Sequence, residues 1–147
     1  MGFDTSLSAF NISASGLTAE RLRMEVVANN IANAEVTRTP EGGPYRRKDV
    51  VFEAVLHPDK PGTRAGQSSG LGGVRTVGVV DDSSELPKRH SPGHPDADAD
   101  GFVTMPNVNL PIEMVNLITT TRAYEANLKA AQSFVDMNQQ ALSIVRG

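Results

Sequence analysis

The chain has 147 residues, enough for one domain with a core but too few for the large sheets of many hydrolase and dinucleotide-binding folds. Its 14 basic and 17 acidic residues give a net charge of -3, and neither sign runs in a block, so no phosphate-backbone footprint and no nucleic-acid partner is expected. The absence of cysteine excludes a disulfide framework, a thiol nucleophile and a thiolate metal site.

The opening Met1-Gly2-Phe3-Asp4 lacks a basic region followed by a continuous apolar stretch, and no later segment approaches the ~18 apolar residues of a membrane span. The chain is therefore expected to be soluble and uncleaved. From Phe3 onward apolar residues fall at Phe3, Leu7, Phe10, Ala14, Leu17, Met24, Ala28 and Ile31, in alternating steps of four and three broken at Arg21. That is a heptad seam. It predicts a helix capped at Ser6 or Ser8 and running to about Asn33, because Thr39-Pro40 and Gly42-Gly43 forbid continuation. Such a helix would be roughly 45 Å long.

The middle has a different texture. Val50-Val51-Phe52, Val74 to Val80 and Phe102 to Met105 have the composition of short strands, separated by clusters of Gly, Pro, Asp and Ser. The stretch from Lys60-Pro61-Gly62 to Gly73 has the composition of a flexible loop. The last third returns to the heptad, with one row at Leu110, Leu117, Tyr124, Ala131 and Val145 and a second at Met114, Leu128, Val135 and Leu142. Thr121 and Asn138 are its polar exceptions. Pro111 suits the first helical turn and Glu113 the positive helix start, and the predicted helix of about 35 residues would span roughly 52 Å. Val115, Ile118, Phe134, Ala141 and Ile144 add an apolar flank wider than a two-stranded seam needs.

The expected architecture is mainly α with a small β insert. Residues 1–33 form an N-terminal helix of a coiled-coil core, 34–108 a β-rich insert with a flexible loop at 57–73, and 109–147 the C-terminal helix of that core. An insert of about 70 residues cannot cover the stripes of two such helices. Each apolar side chain buried against a neighbour is worth roughly 1.5–3 kcal/mol, which drives the helices to associate and to order as they dock. Head-to-tail association of this kind builds rings, tubes or filaments. Periodicity alone serves an antiparallel hairpin folded on itself equally well.

Specific segments favour assembly. SGLTAERLRMEVVANNIANAEVTRTPEGGPYRRKDVVFEAVL (15–56) and VTMPNVNLPIEMVNLITTTRAYEANLKAAQSF (103–134), together about half the chain, resemble the terminal regions of the flagellar axial family of rod and hook proteins. ANNIAN (28–33) names that wide class; TRTPEGGPYRRK, and MPNVN followed by Glu113-Met114-Val115, are narrower and favour subunits of the proximal rod. The alternative within the family is another rod or hook subunit. The resemblance implies a structural, non-enzymatic subunit of the rod that crosses the periplasm and transmits torque from motor to hook, with no cofactor. It implies export through the flagellar type III apparatus without a cleaved signal peptide. It implies partners in copies of itself, other rod subunits, an adaptor to the MS ring and export gate, and distal rod proteins. The β region would lie outside an inner tube of helices. The residues assigned to the assembly interface are Leu7, Phe10, Leu17, Met24, Asn29, Asn30, Ile31 and Asn33 on the first helix, and Met114, Leu117, Tyr124, Leu128, Val135 and Leu142 on the second. Asn29 and Asn33 lie four apart, where their amides are suited to tie a helix end to a neighbouring subunit or simply to close it.

Four motifs mimic other chemistry. Asp96, Asp98, Asp100 and Gly101 open like a calcium loop, which makes a calcium-binding module the rival from another class. Position twelve of that loop is Asn107 rather than a bidentate Glu, and Pro92 and Pro95 prevent an entering helix. Pro92 and Gly93 keep His90 and His94 off a helix, against shared metal ligation. Gly66-Gln67-Ser68-Ser69-Gly70 matches a nucleophile elbow but has glycine and proline where a strand and a helix are required. Met1-Gly2 with Ser6 fits an N-myristoylation pattern, which the resemblance argues against. No catalytic, cofactor or metal residue is assigned.

Overall fold

A computed structural model describes residues 2–56 and 71–146, with side chains for residues 8–56 and 72–144. Its elements are α1 (Gly2–Ala32), β1 (Lys48–Leu56), β2 (Leu71–Asp81), β3 (Lys88–His90), β4 (Phe102–Thr104) and α2 (Leu110–Arg146). The chain is mainly α with a small β insert between long terminal helices of 31 and 37 residues, as the heptads and the short valine-rich runs predict. β1 pairs with β2 in one two-stranded sheet and β3 with β4 in another.

The boundaries differ from expectation at three places. α1 begins at Gly2 rather than at a cap on Ser6 or Ser8. β2 begins at Leu71, inside the stretch assigned to the loop; residues 57–70 of that stretch, with the Gly66–Gly70 motif, lie outside the described residues. β3 was not expected, because Lys88-Arg89-His90 is charged and exposed throughout. It is a strand by pairing, with Lys88 opposite Thr104, Arg89 opposite Val103 and His90 opposite Phe102.

The chain forms two compact units. The first comprises Met1–Leu22, Phe52–Val77 and Thr120–Gly147. Here the helices meet through small residues: Ser13, Ala19 and Ala131 are buried, and a Cβ on Gly16 would lie 2.9 Å from Asn127 Nδ2. The Ser15 hydroxyl joins α1 to β2, donating to Ile12 O at 2.7 Å and accepting from Val74 N at 3.1 Å. Gly73, just before Val74, has φ +108°, and a Cβ there would press on Ser15 Oγ and approach Ile12 Cα at 3.5 Å. Gly73→Ala is expected to cost about 1–3 kcal/mol in urea unfolding, since a left-handed backbone and a contact both oppose it. Gly42→Ala, at φ +94° with open space around it, carries the backbone strain alone and should cost less.

The second unit comprises Arg23–Val51 and Gly78–Thr119. Val27, Tyr45, Val50 and Val103 are its buried hydrophobic residues. Asp98 shapes the turn into β4, its Oδ1 accepting from Asp100 N at 3.1 Å and Phe102 N at 2.8 Å. Gly101 sits at φ +79° under Pro92 and His90, and the His90 ring meets Phe102 edge-on at 5.1 Å. Asn109 caps α2, its side-chain oxygen accepting from Ile112 N at 3.3 Å.

Candidate functional site

Three segments distant in sequence converge in the second unit. Asn30, near the end of α1, is fully buried, and its amide is used to capacity. Oδ1 accepts from the Tyr45 hydroxyl and from Lys48 N, each at 2.9 Å. Nδ2 donates to Lys48 O at 2.8 Å and to Glu113 Oε2 at 3.1 Å. Glu113, in the first turn of α2, is 1% exposed, and its Oε1 accepts from Arg47 Nε at 2.8 Å. Arg47 also reaches Asp49 and Asp82, each at 3.4 Å. Asn107 closes the cluster, accepting from Arg47 N at 2.7 Å and donating to Ser84 Oγ at 2.8 Å. ANNIAN, PYRRK and MPNVN thus supply one another's partners. The polar atoms of this clasp are turned on each other, an arrangement that holds elements together.

The charges follow from that geometry. Burial raises the Tyr45 hydroxyl pKa above its usual 10.0, and the negative charges of Asp81 and Glu113 raise it further. Burial alone would lower the Arg47 pKa, but its hydrogen bond and charge pairing with Glu113, helped by Asp49, carry it upward. Hydrogen bonds from the Ser84 backbone and hydroxyl, and then Arg47, lower the Asp82 pKa. A group whose pKa is raised on folding gives stability that is complete below the unfolded pKa and lost as pH rises through the folded one. Thermal stability is therefore expected to fall above about pH 10, the unfolded tyrosine value. Melting curves from pH 7 to 11 should show a smaller alkaline fall in Tyr45→Phe, which at neutral pH loses about 1 kcal/mol for the missing donor.

Glu113 and its neighbour invert the usual rule: the carboxylate is inside, while Met114 is 57% exposed. Val115 and Ile118 are exposed beside it. Burying Met114 instead would gain roughly 1.5–3 kcal/mol, so the clasp must outweigh that preference.

The residues assigned to the interface divide sharply. Leu117 and Tyr124 are half-buried and Ala131 is buried, while Leu110 at the head of that row is exposed. Met114, Leu128, Val135 and Leu142 form the other row and are all exposed. On α1, Phe10 is exposed, while Leu17, Met24 and Ile31 are half-buried; the line turned inward is instead Ser13, Ala19, Val27 and Asn30. The Leu7 side chain lies outside those described. Asn30, assigned to a neighbour, is spent inside the chain. Asn33 Nδ2 donates to Asn29 O at 2.8 Å and Asn29 Oδ1 at 2.7 Å, closing the helix end on itself.

Sequence reasoning missed Tyr45, Arg47 and Asn107, and it read Glu113 only as a favourable helix-start charge. The acids of the calcium-like segment have local partners. Asp96 pairs with Arg38 at 2.7 Å and accepts from Thr37 Oγ1 at 2.8 Å, while Asp98 caps its own turn. Among the described residues, no group of three or more His, Cys, Asp or Glu is placed to hold a metal ion. No described helix is long and apolar enough to cross a membrane.

Comparison with known proteins places these features in context. Residues 10–38 match the family "Flagella basal body rod protein", and residues 99–144 match "Flagellar basal body rod FlgEFG protein C-terminal". The chain is 43% identical to the flagellar basal-body rod protein FlgC of Borreliella burgdorferi, over 95% of this chain and 97% of that one. It is 38% identical to FlgC of Bacillus subtilis, covering 95% and 98%, and 37% identical to FlgC of Salmonella typhimurium, covering 94% and 96%.

Proposed function

The chain belongs to the family of the flagellar basal-body rod protein FlgC, and from that premise we propose that it builds the proximal part of the rod through its two terminal helices. It is a structural protein of the basal body that assembles with other rod subunits. The observation that carries the helical mode of assembly is the row Met114, Leu128, Val135 and Leu142. Its members recur at multiples of seven and are exposed, while Leu117 and Tyr124 of the first row are half-buried and Ala131 is buried. A seam with a sevenfold period suits a supercoiled partner helix, and each side chain it buries contributes roughly 1.5–3 kcal/mol. The FlgC names of its relatives favour this subunit over another rod or hook protein, and nothing supports a calcium-binding module.

Its immediate neighbours in this proposal are copies of itself, an adaptor to the MS ring and export gate, and distal rod proteins. It reaches them through the flagellar type III apparatus. The assembled rod transmits torque from motor to hook. Deleting the gene tests this: basal bodies should lack a rod and cells should not swim, with both restored by the intact gene. Swimming cells with complete rods after deletion would refute it.

A further inference from the structure

Glu113 and Met114 occupy adjacent positions on one helical turn, yet the charged side chain is 1% exposed and the apolar one 57%. Val115 at 61% and Ile118 at 54% extend the apolar surface on the same side of the clasp. Hydrophobic burial alone would turn the start of α2 about its axis, sending Glu113 to water and Met114 inward. Consecutive helical residues are about 100° apart, so a rotation of one position makes that exchange. What opposes it is a pair of complementary groups. Asn30 offers an N–H donor to Glu113 Oε2 while Arg47 offers another to Oε1, and only an acceptor-only carboxylate satisfies both. Asn30 is in turn fixed by the Tyr45 hydroxyl and by both backbone groups of Lys48, so it cannot follow a rotating helix.

We propose that the Asn30–Glu113 pair is a rotational lock that holds the start of α2 against its hydrophobic preference and keeps the Met114–Val115–Ile118 face outward in the unassembled subunit. The pair acts by position, as single buried polar residues do when they select one register of a helical pairing over others that bury more apolar surface. The lock belongs to the isolated chain and stands whether or not the partners proposed above are correct.

The chain has no cysteine, so Met114→Cys supplies a single thiol whose maleimide labelling rate reports which way this face points. In dilute, monomeric protein carrying only that change, labelling should be nearly as fast as in urea. Adding Asn30→Asp sets two carboxylates against each other. Adding Glu113→Gln instead sets an amide donor against either Asn30 or Arg47. Each should slow labelling at least about tenfold while the helical circular dichroism persists, because the face turns inward and reacts only on local opening. If Asn30→Asp does not fold, Glu113→Gln alone decides. Parent-like labelling in a folded single variant would overturn the lock. So would loss of the helical signal in both singles, which would make the pair a requirement for folding rather than a choice of rotation.

Discussion

Replacing Arg47 by alanine should lower stability by about 3 kcal/mol, at the low end of the range for breaking a buried ion pair. The guanidinium donates to Glu113, a carboxylate that is 1% exposed, and removing it leaves that charge with the Asn30 and Asn116 amides. The low end applies because the Arg47 side chain is itself 20% exposed, so part of the interaction is already screened. For a chain of this size the melting temperature should fall by roughly 6–12 °C. Two comparisons separate the pair from charge in general. Arg75 bonds Glu53 at 2.6 Å, closer than Arg47 approaches Glu113, but both partners are more than half exposed. Arg75→Ala should therefore change stability by less than ~0.5 kcal/mol. The double variant Arg47→Met/Glu113→Leu should recover most of the loss, because apolar groups of similar volume carry no desolvation penalty. A melting point for Arg47→Ala within a degree of the parent would mean that the clasp holds nothing.

The long elements were legible because heptads repeat locally. Phe10, Leu17 and Met24 on α1, and Leu128, Val135 and Leu142 on α2, announce their helices at any register. The valine-rich runs within β1 and β2 were legible for the same reason. Which side of each helix faces inward was not. On α1 the inward residues beside the apolar seam are Ser13 and Ala19, because close approach at Gly16 selects small residues, and Asn30, because its amide is held by Tyr45, Lys48 and Glu113. On α2 it places Glu113 inside and Met114 outside. Both departures come from tertiary pairing that no local pattern encodes. Asn30 meets Lys48 across 18 residues, Arg47 meets Glu113 across 66, and Asn30 meets Glu113 across 83. The same cause hid β3, whose charged residues form a strand only because β4 lies opposite. The motifs that carried the resemblance were visible as spellings, but their physical purpose emerged only when Tyr45, Arg47, Asn107 and Glu113 stood around Asn30. Asn30 itself stands among the residues assigned to the assembly interface, as part of ANNIAN, whereas its amide is spent within the chain.

The exposed row of α2 carries the other large expected effect, one that should spare the isolated protein. Leu128 is 39% exposed and Leu142 50% exposed, so aspartate at either position displaces little from the core. Leu128→Asp and Leu142→Asp should each change the unfolding free energy of the monomer by less than about 1 kcal/mol. In an assembled seam the same change removes an apolar contact worth roughly 1.5–3 kcal/mol and adds the cost of burying an unpaired charge. Association should weaken at least about tenfold for each substitution and more than additively for the pair, which share one face. Cells carrying the double variant should fail to spread on soft agar, and their basal-body preparations should lack the subunit on immunoblots. Protein level and secretion must match the parent, since a degraded chain would mimic an assembly defect. Asp98→Ala is the contrasting case. Its carboxylate bonds the backbone of its own turn, so its loss should loosen that turn and leave swimming nearly intact. Normal rods from the double aspartate variant, with immotility from Asp98→Ala, would move function from the helical seam to the acidic turn.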